Sequence, residues 1–474
     1  MTTPAPTTRR RTKIVATIGP SSGPPDMLRA LVQAGVDALR LNFSHGAHGE
    51  HAGWAAAARQ VQDELRKPLA LIADLQGPKF RVEHLAGSRR LETGSIVYVA
   101  SETTAKDGDL VVAPAAIAQV LEPGHDVLID DGLIRLAVEE VEGGRARCRA
   151  LVGGEVKSHK GVNLPGVPIP VPSLSEKDRD DLDFALGLGV DYVALSFVRS
   201  ADDVRELKEI IAERGSDARV IAKIEKAEAL TALDEIVVES DSLMVARGDL
   251  GVEIGAELVP MLQKQLILRC LEAGKPVITA TQMLESMVEH AEPTRAEASD
   301  VANAILDGTS AVMMSAETAV GAFPVEAVRT MDRIARAVEP DMSYRHVIPE
   351  ASDRPDQRRA MSNAATDLAE ALGARAILTA TATGRTASEI ARLRPRRAMV
   401  GLSHNETAVQ QMALEWGVVP LLMPSTADLD DLWARTIETT RAAGIIAPGD
   451  MVVLVAGTAV NLSGSTNVIK VDRA

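Results

Sequence analysis

Cysteine is almost missing: Cys148 and Cys270 are the two in 474 residues. That number excludes a disulfide framework and fits a reducing cytosol. No apolar run reaches the roughly 18 residues of a membrane span, so no membrane partner and a cytoplasmic location are expected. The opening MTTPAPTTRRR lacks the apolar middle of a secretory signal. It reads as a flexible terminus, residues 1–11, with Arg9, Arg10 and Arg11 solvated. Positive charge is in deficit, 51 Lys and Arg against 66 Asp and Glu, a formal −15. That balance argues against nucleic acid or an anionic membrane surface as the main partner. Any phosphate must be held by locally placed Arg, Lys and backbone N–H groups. Repeats and low-complexity segments are also lacking.

What is present is an α/β rhythm. The chain is too long for one ordinary core. Compact runs rich in Val, Ile, Ala and Leu recur: TKIVATIG, VDALRLNF, PLALIADL, DYVALSF, RVIAKIE, DSLMVARGD, PVITATQ and TSAVMMSAE. Amphipathic stretches such as Pro25–Ala34, Gly49–Leu65, Glu176–Leu186, Ala201–Glu213 and Glu257–Ala273 alternate with them. Eight such units predict a (β/α)8 TIM barrel with strands buried on both faces, over 12–77 and 162–340. The rhythm breaks over 78–161, where Gly-punctuated alternating runs predict a small all-β domain inserted after the third strand. A second α/β rhythm over 341–474 predicts a separate doubly wound domain. Its helices are expected at Ser362–Leu372, Ala387–Leu393 and Leu429–Ala443.

In such a barrel the active site lies past the C-terminal ends of the strands. The second run leads to Arg40, Asn42 and Ser44, which share one side of an extended chain. Arg offers a planar fork to phosphate, and Asn and Ser add neutral oxygens. The third run ends at Asp74, the fifth at Lys223 and Glu225, and the sixth at Arg247-Gly248-Asp249. The seventh ends at Thr281 and Gln282, and the eighth at Ser315-Ala316-Glu317. Carboxylates gathered at one mouth repel each other unless a cation lies between them. Glu225 and Asp249, with no nearby His, favour Mg²⁺ or Mn²⁺ over zinc. With Arg and Lys beside them, they imply a metal-dependent enzyme acting on a small phosphorylated anion.

The segments TKIVATIGPSS, RLNFSHG, GVNLPG, IAKIEKAEAL, LMVARGDLGVE, ATQMLESM and PTRAEASDVANAILDGTSAVMMSAETA resemble the signatures of the pyruvate kinase family. The resemblance covers nearly the whole chain and implies transfer of phosphoryl from phosphoenolpyruvate to ADP. By that resemblance Lys223 stabilises the phosphoryl group in flight and Arg40 grips it. Glu225 and Asp249 ligate Mg²⁺ (or Mn²⁺). Thr281, with the backbone N–H groups of Gly248 and Asp249, holds the substrate carboxylate. Asn42, His45, Arg81 and Lys160 contact the nucleotide, Lys160 from the inserted β-barrel, which acts as a lid. The C-terminal domain is expected to be regulatory and the assembly a homotetramer. The proton for the enolate is expected through a water near Thr281.

One segment departs from the common family pattern Asp-Thr-Lys-Gly-Pro-Glu. Here it is Asp74-Leu75-Gln76-Gly77-Pro78-Lys79. The expectation is that the Lys79 ammonium supplies the charge that K⁺ otherwise brings to the region of Asn42, Ser44 and Asp74, so that K⁺ is not required. In the C-terminal domain, Thr381, Thr383, Gly384, Arg385 and Thr386 form a hydroxyl-rich loop before a helix, an expected effector-phosphate cradle. The loop Ala456–Gly464 lacks the Trp and Arg that accompany sugar bisphosphate recognition in some relatives, which points to a sugar or nucleotide monophosphate. Two other readings are a phosphoenolpyruvate-handling lyase or mutase and a silent paralogue. GVNLPG and the inserted domain count against the first, and the presence of Lys223, Glu225 and Asp249 against the second.

Overall fold

Runs of four to six apolar residues become the strands Lys13–Thr17, Ala38–Asn42, Ala70–Asp74, Tyr192–Leu195, Arg219–Ile224, Ser242–Ala246, Val277–Ala280 and Ala311–Met314. In this computed structural model, which describes residues 9–85, 87–168, 171–342, 357–457 and 466–474, they close in sequence order into a parallel barrel. The ring is sealed where Lys13 registers with Ala311. All eight expected strands are present. Helices alternate with them, and three observed helices serve to show why they start and stop. Pro25–Ala34 opens on proline and ends at Gly35, whose φ of 131° turns its N–H back onto Leu31. Glu176–Gly187 opens on a capping box in which Ser175 and Asp178 satisfy each other's backbone N–H. The helix expected at Ser362–Leu372 runs over Gln357–Ala371.

Between the third and fourth barrel strands the chain forms a second closed barrel of seven strands, from Phe80–Val82 to Gly161–Asn163. It has its own apolar core, including Val99, Val112, Val127 and Leu136. The C-terminal sheet has the order Val418–Leu422, Ala398–Ser403, Ala376–Ala380, Met451–Gly457, Thr466–Arg473, with only the last strand antiparallel.

The barrel interior is filled by Val15, Ile72, Tyr192, Ile221, Met244 and Met313, and its floor is closed by Ala413 and Leu414 of the C-terminal domain. Around that plug the Tyr192 hydroxyl donates to the Gln411 carbonyl at 2.9 Å, and Lys13 Nζ donates to the Val418 carbonyl at 2.7 Å. Arg9 is exposed, but Arg10 and Arg11 depart from the expectation of a solvated terminus. The Arg10 side chain is 6% exposed and paired with Asp37 and Asp332, each at 2.8 Å. The Arg11 guanidinium lies 5.5 Å from the Trp416 ring centroid. Two carboxylates and an aromatic face on the barrel's underside outweigh hydration of the charges. Both cysteines are buried, and burial pushes each thiol up to about 12. No described helix is long and apolar enough to cross a membrane.

Candidate active site

The fifth barrel strand delivers Lys223 and Glu225 side by side. Lys223 Nζ lies 2.6 Å from Ser196 Oγ, 2.9 Å from Glu225 Oε1 and 3.2 Å from Asp74 Oδ1. Ser196 in turn donates to the Leu75 carbonyl at 2.7 Å, so its hydroxyl accepts from the ammonium. Burial works against the Lys223 charge, but Asp74 and Glu225 outweigh it and hold its pKa above the ordinary lysine value. Arg40 Nε donates to the other Asp74 oxygen at 2.6 Å, and Nη1 donates to Thr17 Oγ1 at 3.1 Å. Burial would raise Asp74, yet Arg40 and Lys223 pull it below the usual range.

Glu225 is pushed up by burial and also by repulsion from Asp249, against the pull of Lys223. Its second oxygen accepts the Phe197 N–H at 2.8 Å. Phe197 has a φ of 56°, a left-handed backbone that ordinarily costs about 1–3 kcal/mol. Strain at a residue that aims an N–H at a buried carboxylate is a mark of a functional site. Thr281 and Gln282 carry the same mark, with φ of 68° and 53°. Thr281 Oγ1 accepts the Gly248 N–H at 2.9 Å and donates to the Ala280 carbonyl at 2.7 Å. Gly248 and Asp249 stand in the first turn of the helix Arg247–Ile254. Arg247 pins that turn to Asp300 and to the Thr281 carbonyl.

Lys79 crosses from the insertion boundary to Asp249, Nζ to Oδ1 at 2.7 Å. Burial would raise Asp249, but Lys79, ahead of Lys223 and the Asn163 amide, holds it below the carboxylate range. Among the described residues no group of three or more His, Cys, Asp or Glu gathers into a metal cage. Glu225 and Asp249 alone fit a cation that takes one or two carboxylates and completes its shell with waters and substrate oxygens, as Mg²⁺ does. Their mutual repulsion is what such a cation would relieve.

Of the expected nucleotide group, Asn42 Oδ1 accepts the Ser44 N–H at 3.1 Å. His45 is lowered by burial and then by the charges of Arg81 and Arg40. Arg81 also donates to the His159 carbonyl at 3.1 Å, and Lys160 pairs with Asp130 at 2.8 Å within the inserted barrel. Glu317 is buried and braces the Leu284 and Ser315 N–H groups. In the C-terminal loop, Thr381 accepts the Gly384 N–H at 3.0 Å. Thr386 shares a hydrogen bond with Thr466, and Arg219 donates to the Thr383 carbonyl. Arg385 opens the helix Arg385–Ala391. Most of the loop Ala456–Gly464 lies outside the described residues.

This barrel, with its insertion and its strand-end residues, matches the pyruvate kinase barrel domain over residues 9–328 and the pyruvate kinase alpha/beta domain over residues 359–472. The chain belongs to the pyruvate kinase family. A pyruvate kinase of Agrobacterium vitis is 45% identical over 469 residues, 98% of this chain and 96% of that protein. One of Corynebacterium glutamicum is 44% identical over 465 residues, 98% and 97% of the two chains. One of Methylorubrum extorquens is 43% identical over 466 residues, again 98% and 97%. The pyruvate kinase motifs do not single out Thr17, Ser196 or Asp178. Thr17 ends the first strand and Ser196 follows the fourth, and as small hydroxyl residues they carry no chemical signal until Arg40 and Lys223 are seen against them. Asp178 caps a helix and also accepts the Gly77 N–H at 3.0 Å, fixing the loop that leads to Lys79.

Proposed function

We propose that the chain transfers the phosphoryl group of phosphoenolpyruvate to ADP, giving pyruvate and ATP in glycolysis, with Mg²⁺ or Mn²⁺ and without a requirement for K⁺. The observation that carries this reading is the Lys223 ammonium held among Asp74, Glu225 and Ser196 at the barrel mouth. A charge fixed there before substrate arrives offsets the charge that develops on the equatorial oxygens at no cost in reorganisation. Arg40, braced by Asp74 and Thr17, presents its fork to the same phosphoryl group. Gly248, Asp249 and Thr281 would seat the substrate carboxylate at the start of a helix, where backbone N–H groups favour an anion.

Glu225 and Asp249 would hold the divalent cation, which when bound supplies Lewis-acid stabilisation of the enolate oxygen. Asn42, His45, Arg81 and Lys160 would bind ADP, with Lys160 brought in as the insertion, 78–161, closes over the barrel, 12–77 and 162–340. The enolate is then protonated at carbon through a water beside Thr281. Lys79 stands in for K⁺: its ammonium sits 2.7 Å from Asp249, a positive charge carried by the chain itself at the mouth. The domain 341–474 is read as regulatory, taking a phosphorylated effector at Thr381, Thr383, Gly384, Arg385 and Thr386. The expected assembly is a cytoplasmic homotetramer.

The test is pyruvate formation from phosphoenolpyruvate and ADP with Mg²⁺, in sodium-only and then potassium buffer. Equal rates in both are expected. No pyruvate in either buffer would refute the activity, and strong activation by K⁺ would refute the role given to Lys79.

A further inference from the structure

Past the second barrel strand, residues 43–47 turn the chain into the helix His48–Leu65. Within that turn the Ser44 N–H goes to Asn42 Oδ1 and the His45 N–H to the Asn42 carbonyl. Two carbonyls of the turn are gripped by side chains of the barrel helices. Lys177 Nζ donates to the Phe43 carbonyl at 2.8 Å, from a side chain that is 53% exposed. His51 Nε2 lies 2.9 Å from the His45 carbonyl, on a residue that is 1% exposed. A carbonyl can only accept, so Nε2 carries the hydrogen. A Cβ on Gly46, whose φ is 80°, would lie 3.3 Å from the same nitrogen, so the turn closes directly on the ring.

The surroundings of the His51 ring are otherwise apolar. It stacks on Phe43 at 4.4 Å between centroids and meets Trp54 edge-on at 5.2 Å. Its Nδ1 is buried and among the described residues has no hydrogen-bond partner. Burying a polar ring is unfavourable unless it is hydrogen-bonded, and a phenyl ring would fill this place without that cost. Among the described residues, the bond to the His45 carbonyl is what offsets it. We infer that His51 is a positioning residue for ADP, its Nε2–H holding the His45 carbonyl and so the turn that presents Asn42 and His45 to the nucleotide. This rests on the reading of Asn42 and His45 as nucleotide contacts. Phosphoenolpyruvate should not sense the bond, because Arg40 is braced from elsewhere, by Asp74 and Thr17.

The probe is ADP with Mg²⁺, titrated calorimetrically into the full-length protein, with the KM for ADP and for phosphoenolpyruvate measured on the same samples. His51→Met and His51→Gln differ in little but the donor: a glutamine amide can reach where Nε2 stands, and methionine has the same length without an N–H. His51→Met leaves a buried carbonyl unsatisfied and should weaken ADP binding about tenfold. The KM for ADP should rise by a like factor and the KM for phosphoenolpyruvate stay at its wild-type value. His51→Gln should recover most of the loss. Wild-type ADP affinity in His51→Met would overturn the inference, as would equal losses in both variants or an equal rise in both KM values. If His51→Met does not fold, His51→Asn replaces it, its amide being too short to reach the carbonyl, and is held to the same outcomes. Asn42→Ala and His45→Ala separate the inference from the reading beneath it. ADP affinity unchanged in both would refute the nucleotide reading and the inference with it. Losses there, with wild-type binding by His51→Met, would refute the inference alone.

Discussion

Replacing Lys79 by Met tests the proposed built-in cation most directly, because Met keeps the apolar stem and removes the charge. The stem matters: a Cβ on Gly161 would lie 3.0 Å from Lys79 Cε, so the strand above packs closely on it. The lost contact is a 2.7 Å ion pair whose side chains are 18% and 24% exposed. Truncating one partner of a buried, hydrogen-bonded charge pair costs about 2–5 kcal/mol. Partial exposure places this pair at the lower end, about 2 kcal/mol, or about 30-fold at 1.4 kcal/mol per tenfold. Initial rates of pyruvate formation, with saturating Mg²⁺ and matched ionic strength, should therefore fall about 30-fold in sodium buffer for Lys79→Met. Potassium should restore much of the loss in the variant and leave wild type unchanged. The acid limb of the pH profile should also move to higher pH. Lys79 is the main force holding the Asp249 carboxyl down, so its removal lets that carboxyl take up a proton earlier as the pH falls. A Lys79→Met enzyme with the wild-type rate in sodium would refute the reasoning.

Three other perturbations have definite outcomes. Lys223→Met should lower kcat about a thousandfold. It should also reduce unfolding free energy by about 3–5 kcal/mol at pH 7, since Asp74 and Glu225 lose their shared cation; denaturant melts should show a deficit that shrinks as the pH falls, because Glu225 is already raised by burial and by Asp249 and loses the pull of Lys223. Gly77→Ala should destabilise by about 2–4 kcal/mol, because Gly77 has φ of +70° and a Cβ there would lie 2.8 Å from Phe197 and 3.0 Å from Ser196. A urea midpoint equal to wild type would contradict it. Asp191 is raised by burial to about 6, from an ordinary 3.8. The folded state thus keeps a proton that the unfolded chain releases, and this site's contribution is largest below about 3.8 and declines as pH rises to about 6. The stability advantage of wild type over Asp191→Asn should shrink between pH 4.5 and 7, and a constant difference would show the shift to be wrong.

The eight barrel strands could be read directly because parallel strands buried on both faces must be continuous apolar runs. Lys223 and Glu225 could be singled out only because charged residues past several such runs converge on one barrel mouth; either alone would pass for a solvated loop residue. Arg40 could be marked as a candidate phosphate fork, but not its bracing by Asp74 and Thr17, which lie 34 and 23 residues away. Lys79 illustrates the limit in another way. Its identity marked the departure from the family pattern, while its partner Asp249, 170 residues on, depends on how the insertion folds back. Ala413 and Leu414 showed nothing in sequence, since a short apolar pair has no period and its place in the barrel floor comes from the neighbouring domain.

That floor has a consequence for biosynthesis. The first barrel strand leaves the ribosome early, yet Lys13 finds its partner at Val418, 418 − 13 = 405 residues later. At about 5–20 residues per second this is about 20–80 s of translation. The Tyr192 hydroxyl likewise waits 219 residues for the Gln411 carbonyl, and the ring, once Ala311–Met314 closes it, has no cover on its underside until the plug is made. The strand that carries Lys223 and leads to Glu225 waits a shorter time, 414 − 223 = 191 residues before Leu414 is made, about 10–40 s at the same rate. A nascent chain released before the plug emerges would hold every residue of the proposed phosphoryl-transfer centre and still lack the contacts at Gln411 and Val418 that cover the barrel floor. Competence thus arrives late in synthesis, with the domain furthest from the chemistry.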